Sequence, residues 1–351
     1  MERMDVLLVA LLGLGLALCL TWAAARVGSH LGLLDAPAAH KVHRTPVPRS
    51  GGLALVGAIS LALLVALGSG STLGGLRAYA LPAAGFALLG LWDDRRRLPA
   101  RVKLAAQVAL AALAVGLGLG WEGAGIGGFG ALHFGDLTPL MSVLWIVAVV
   151  TVINFIDGID LITAATTAVM LSFAAAQGAG PGGGQLFGAA AGAVLGFAFW
   201  NVTPARVIVG DGGTHLLGFL VAASALAPED GSARALAWPW IGALLLPGVV
   251  DVGAGLVTKW RRGVALSAAH KDHPYQRLPR LGRSQPAVAL RYGALAVLAL
   301  VTVRYGEPWL GAVGAVTFGV LVLAAHLVEA ARAPRAPASF FVGGSADRGE
   351  H

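Results

Sequence analysis

Charge is what this sequence has least of. Asp, Glu, Lys and Arg make up 12% of the 351 residues, against 57% that are hydrophobic. A soluble domain carries roughly 25% charged residues, so a water-covered globular fold is excluded. Cysteine is nearly absent as well: Cys19 stands alone in an apolar stretch, which rules out an intramolecular disulfide framework. There is no basic domain. The formal charge of +7 and the pI near 10.2 come from Lys and Arg residues that flank apolar segments, so nucleic acid is excluded as a partner. The N-terminus lacks the positive region of a signal peptide, because Glu2 and Asp5 accompany Arg3. Leu18 also occupies the position where a lipoprotein signal needs a small residue before Cys19.

What remains is a run of about eleven apolar stretches: 4–26, 51–70, 77–92, 103–121, 140–156, 160–177, 185–201, 206–226, 236–258, 287–303 and 308–330. A helix needs about 20 apolar residues to span the hydrocarbon. The fold class is therefore an all-α polytopic membrane protein of about 11 transmembrane helices, in one domain over 1–330. A short cytoplasmic tail, 331–351, carries Pro334 and Pro337 and reads as disordered. The Gly-rich segment 185–201 suits close helix packing. With the N-terminus outside, all but Arg3, Arg77, Arg234 and Arg304 of the 25 basic residues fall in or beside cytoplasmic loops. That asymmetry orients the chain and places its polar loops in the cytoplasm.

Every polar motif then lies on the cytoplasmic side, and ionisable groups near the hydrocarbon are costly enough that a cluster of them points to function. Residues 33–52, LLDAPAAHKVHRTPVPRSGG, give a stiff extended stretch ending in Arg49 and two glycines. His40, Lys41, His43 and Arg44 make this either a lipid-binding juxtamembrane loop or part of an anion site. Asp93 and Asp94 end an apolar helix, where the macrodipole disfavours negative charge, so they need a cation: Arg95 to Arg97, Lys103 or a metal ion.

Asn154, Asp157 and Asp160 recur every three residues, and Gly158 opens the helix into a turn on which several oxygens can converge. Such hard oxygens suit Mg²⁺. Asp211 lies in an apolar run among Gly210, Gly212 and Gly213, where backbone N–H groups can cradle an anion. The longest cytoplasmic loop, 259–286, carries His270, His273, Tyr275 and Arg277. Asp251, near the end of its segment, either joins the cluster or pairs with a basic neighbour, and is left out of the site.

In order, P-x-P-R-x-G-G, D-D-R, N-F-I-D-G-x-D, G-D-G-G-T and H-x-x-H-x-Y-Q resemble the polyprenyl-phosphate N-acetylhexosamine-1-phosphate transferases, glycosyltransferase family 4. The last motif is similar to the O-antigen-initiating GlcNAc-1-phosphate transferase branch of lipopolysaccharide biosynthesis. The resemblance runs from about residue 33 to 278. It implies that Asn154 and Asp211 hold a catalytic Mg²⁺, with Mn²⁺ able to replace it. It implies that Asp93, Asp94 and Lys103 serve the lipid phosphate, that Asp157 and Asp160 serve the nucleotide, that His270 and His273 lie near the diphosphate, and that Arg49 contacts an anion; Arg277, in the same loop as the histidines, is a further substrate-binding candidate.

The implied partners are undecaprenyl phosphate and a UDP-N-acetylhexosamine, with membrane lipid and a homodimer, in the bacterial inner membrane. Three departures stand out: Leu161 where many members have Gly, Thr214 with His215 where Ser and an apolar residue are usual, and Asp272 between the loop histidines. A secondary transporter is the alternative, but it calls for a midplane site and internal repeats that the sequence lacks. A membrane phosphatase would need a nucleophile signature, and neither H-E-x-x-H nor C-x-x-x-x-x-R occurs.

Overall fold

The structure is a computed structural model that describes residues 2–28, 30, 32–35, 46–68, 76–121, 124–126, 130–132, 134–177, 183–228, 238–261, 263, 273–305 and 307–333. The described residues form eleven long helices that fall one by one on the eleven apolar stretches. These are α1 (Glu2–Val27), α2 (Gly51–Gly68), α3 (Leu76–Arg96), α4 (Ala100–Gly116), α5 (Thr138–Ile156), α6 (Ile162–Gln177), α7 (Gly183–Asn201), α8 (Gly210–Ala223) and α9 (Trp238–Arg261). After the four-residue helix α10 (Pro274–Arg277) come α11 (Gln285–Tyr305) and α12 (Glu307–Ala331). The strands among the described residues pair as three short two-stranded ribbons, so the fold is all-α.

Six of these helical segments are long and apolar enough to cross a membrane by themselves, and shorter apolar helices accompany them. Leu7, Leu64, Leu81, Leu88, Phe199 and Trp260 are exposed, and in water such a surface would be unstable. Facing lipid, it is what a multi-pass membrane protein needs. As expected from its glycines, α7 packs closely, its partner being α1. At Gly192 an added methyl group would sit on the carbonyl of Ala10.

The centre of the bundle is α8, with α2, α3, α5 and α6 around it. A helix that is apolar all round belongs in a core, and every residue of α8 except Asp211 is buried. Its 14 residues rise about 21 Å, short of the roughly 30 Å hydrocarbon thickness, so it depends on its neighbours for cover. The stretch drawn from hydropathy over 206–226 starts too early. Its first residues precede the helix and are stitched to the first motif: Ile208 N–H donates to Pro48 O at 3.0 Å, Gly51 N–H to Ile208 O at 3.1 Å and Gly52 N–H to Val209 O at 2.9 Å. Asp211 therefore sits in the first turn of α8, where the helix dipole favours a carboxylate.

Candidate active site

The site is assembled at the N-terminal end of α8 by the ends of α3, α4 and α5. Asp94, with its side chain 0% exposed, accepts the Asp211 and Gly212 backbone N–H groups, each at 3.0 Å. Two of the N–H groups that a helix start leaves unpaired are thus taken by one carboxylate. Arg49, from the first motif, lies 3.5 Å from the same carboxylate with its side chain 31% exposed.

Asp93 takes different partners. Its Oδ1 accepts Leu98 N–H at 2.7 Å, which closes the end of that helix, and its Oδ2 accepts Lys103 Nζ at 2.5 Å. Lys103 also reaches Asp211 Oδ2 at 3.3 Å. The lysine thus compensates two carboxylates, the cation that the position of Asp93 at a helix C-terminus demands. Lys103 is 25% and Asp211 27% exposed, whereas Asp93 is 7% exposed. Lys103, Asp211 and Arg49 form the accessible surface, with Asp94 behind it.

Asn154, in the last turn of α5, donates its amide to Asp211 Oδ1 at 3.1 Å and to Thr214 Oγ1 at 2.8 Å. Thr214 in turn donates to Asp211 O at 3.2 Å, so the hydroxyl kept in place of Ser is used. The neighbouring departure, His215, is fully buried and also bonded. Its Nδ1 lies 2.7 Å from Asp211 O, and its Nε2 lies 2.9 Å from the Gln107 amide nitrogen. A carbonyl only accepts, so Nδ1 carries the proton and Nε2 accepts from Gln107. Gln107 is one turn along α4 from Lys103, so α4 grips Asp211 through its side chain and, by way of His215, through its main chain.

The third motif is a helix end and a turn, as Gly158 suggests. Helix α5 stops at Ile156 and Gly158 N–H closes on Ile156 O at 2.9 Å. Thr163 donates to Asp157 Oδ1 at 2.7 Å. Burial raises the Asp157 carboxyl to about 7; the Thr163 hydroxyl lowers it and the Asp211 charge raises it. Asp160 is turned inward, its Oδ2 accepting Ala205 N–H at 3.1 Å and its N–H donating to Gln285 Oε1 at 2.8 Å. Leu161 has φ of 71°, a left-handed conformation that favours glycine, which accounts for the Gly usual at this position.

In the described part of the long loop, His273 caps α10 and is 2% exposed, and Arg277 is 6% exposed. His270 and Asp272, like His40, Lys41, His43 and Arg44, lie outside the described residues. Residues left out of the sequence-based site prove connected to it. Gln107 could have been found from its four-residue spacing from Lys103, His215 from its place beside Asp211, and Asp251 from being an acid in an apolar run.

A hard oxygen-binding ion would take Asp211 and the Asn154 amide oxygen, which requires the amide to turn its Nδ2 away from Asp211 Oδ1. Among the described residues no group of three or more His, Cys, Asp or Glu could hold one unaided. The donor set is oxygen-rich and incomplete, the usual pattern for Mg²⁺ shared with substrate phosphates. With Lys103 and Arg49 opening beside it, the arrangement is a row of acids and cations at the end of a core helix in a membrane protein, of a charge suited to phosphate.

Similarity to known proteins agrees. A profile described as Glycosyl transferase family 4 matches residues 76–229, which contain most of the cluster. A decaprenyl-phosphate N-acetylglucosaminephosphotransferase of Mycobacterium tuberculosis is 31% identical over 316 residues, covering 80% of this chain and 78% of that protein. A probable undecaprenyl-phosphate N-acetylglucosaminyl 1-phosphate transferase of Bacillus subtilis is 26% identical over 324 residues, 88% of either chain. A phospho-N-acetylmuramoyl-pentapeptide-transferase of a Mycobacterium species is 32% identical over 133 residues, 36% of this chain and 34% of that protein. The chain belongs to glycosyltransferase family 4, the polyprenyl-phosphate N-acetylhexosamine-1-phosphate transferases.

Proposed function

We propose that this enzyme transfers a sugar-1-phosphate from a UDP-N-acetylhexosamine, with UDP-GlcNAc the first donor to try, to undecaprenyl phosphate, releasing UMP. The observation that carries the reading is the row Asp93–Lys103–Asp211 beside Asn154, two acids sharing one lysine at the start of a buried helix. An oxygen of the lipid phosphate attacks the phosphorus next to the sugar, and the bond from that phosphorus to the UMP phosphate breaks. The acceptor is a phosphate monoester with a second pKa of about 6, so it is largely ionised at neutral pH and a general base is not required. The demands are positioning and charge neutralisation.

Lys103 and Arg49 meet the phosphates. Asp93 holds Lys103 in place, Asp94 holds the backbone at Asp211, and Asn154 with Asp211 would hold Mg²⁺ or Mn²⁺. When bound, the ion neutralises charge developing on the leaving UMP. Asp157, His270, His273 and Arg277 belong to the nucleotide side of this reading, and Asp160 shapes the turn that carries Asp157.

The reading places eleven spans in the bacterial inner membrane, the N-terminus outside and the site at the cytoplasmic face, where the soluble nucleotide meets a lipid held between helices. A homodimer is the expected assembly, and the reaction would start a cell-envelope polysaccharide such as O-antigen. The test is UMP release by the purified protein with UDP-GlcNAc, Mg²⁺ and undecaprenyl phosphate, beside Asp211→Asn. Release that needs lipid and metal and collapses in the variant supports the reading. Activity only with another UDP-N-acetylhexosamine changes the donor. Silence with every donor in folded protein overturns it.

A further inference from the structure

Asp251 is 0% exposed in α9, a helix of otherwise apolar character up to its basic last turn. A carboxylate so placed is costly and calls for a reason. Its neighbours are donors from three other parts of the chain. Tyr275 N–H donates to Oδ2 at 2.9 Å, and the Tyr292 hydroxyl of α11 donates to the same oxygen. His273 Nδ1 lies 3.5 Å from Oδ1. His326 of α12 stands 2.7 Å from the Tyr292 hydroxyl and 4.0 Å from Oδ2. No Lys or Arg is paired with it among the described residues; its partners are tyrosine and histidine donors that gather separate chain segments.

One of those segments touches the active site. The Tyr275 ring spans from Asp251, at its N–H, to Phe155 O, which its hydroxyl meets at 3.1 Å. Phe155 is next to Asn154 and two residues from Asp157. The approach is close: a methyl group at Gly158 would run into the Tyr275 hydroxyl and the Gln276 amide. Tyr275 is thus a strut between the Asp251 hub and the Asn154–Asp160 turn.

We propose that Asp251 is a positioning residue for the sugar-nucleotide side of the site, setting the distance between the His273–Arg277 segment and the Asn154–Asp160 turn through Tyr275. This rests on the transferase reading above. The lipid-phosphate side, Asp93 and Lys103, shares no hydrogen bond with Asp251, Tyr275 or Tyr292 among the described residues and should not feel them.

The experiment compares wild type, Asp251→Asn, Asp251→Leu and Tyr275→Phe in full-length protein, measuring KM separately for the nucleotide sugar and the lipid phosphate. Hydrogen exchange across 273–281 and thermal unfolding are followed in parallel. Losing a hydrogen bond to a charged group costs about 1.5–3 kcal/mol, so donor KM should rise about tenfold or more in Asp251→Leu. Asp251→Asn, which keeps an acceptor for Tyr275 N–H, should recover part of that loss. Tyr275→Phe should raise donor KM with the hub intact, and lipid KM should stay within about twofold in all three.

Exchange at 273–281 should speed up in the Asp251 variants. Both KM values moving together with the folded fraction, or an unchanged donor KM, would overturn the proposal. Unchanged exchange in Asp251→Leu would overturn the tie itself. A wild type silent with all donors would sink the transferase reading separately, while the exchange data still decide whether Asp251 holds the segment.

Discussion

Asp93 and Asp94 are adjacent in sequence and work on different neighbours, one on Lys103 and one on the start of α8. Sequence shows two carboxylates against a helix dipole; only the direction of each side chain divides their labour. The same holds for Gln107 and His215, which satisfy each other in a buried environment. Leaving a buried partner unmade costs about 1–3 kcal/mol, whereas removing both partners can be nearly neutral. Gln107→Met and His215→Leu should each lower thermal stability, and the double variant should cost clearly less than their sum. Additive losses in a double-mutant cycle would disprove the coupling. Asp157 makes a prediction with a sign. Its folded carboxyl sits at about 7, above the usual value of about 3.9, so the fold favours the protonated form. That stabilisation is present below pH about 4 and is lost as pH rises through about 7. Thermal unfolding of the metal-free protein should fall across that window, and Asp157→Asn should flatten the slope.

At the scale of elements, hydropathy located the long helices because a membrane helix must hide its backbone within its own apolar run. It misplaced the start of α8 because the pairing of residues 48–52 with 208–209 is a long-range event that no local window contains. The turn between α5 and α6 is another example. Leu161 was legible as a departure from a glycine, but its left-handed backbone is visible only in the fold. A non-glycine residue pays roughly 1–2 kcal/mol there. Both Leu161→Ala and Leu161→Gly remove a buried side chain, and Gly alone relieves the backbone. Leu161→Gly should therefore be at least as stable as Leu161→Ala, the reverse of the usual order, as read by thermal unfolding in detergent. A markedly less stable glycine variant would refute the strain.

For the whole molecule, the proposed topology of eleven spans, oriented by the asymmetry of Lys and Arg, has the two chain ends on opposite sides of the membrane. A fluorescent reporter fused after His351 should mature in the cytoplasm, and a tag before Met1 should be accessible from outside in intact spheroplasts. Both ends on one side would mean an even number of spans. The class, the approximate helix positions and the candidate acids were all legible from the order of residues, because burial in lipid is a local demand that each segment meets with its own residues. The tertiary structure alone decided that Asp94 caps α8, that His215 and Gln107 support Asp211, and that Asp251 ties the His273–Arg277 segment to the site. These are hydrogen bonds between residues far apart in the chain, fixed by helix packing, and a carboxylate carries no sign in the sequence of which distant donor it will meet.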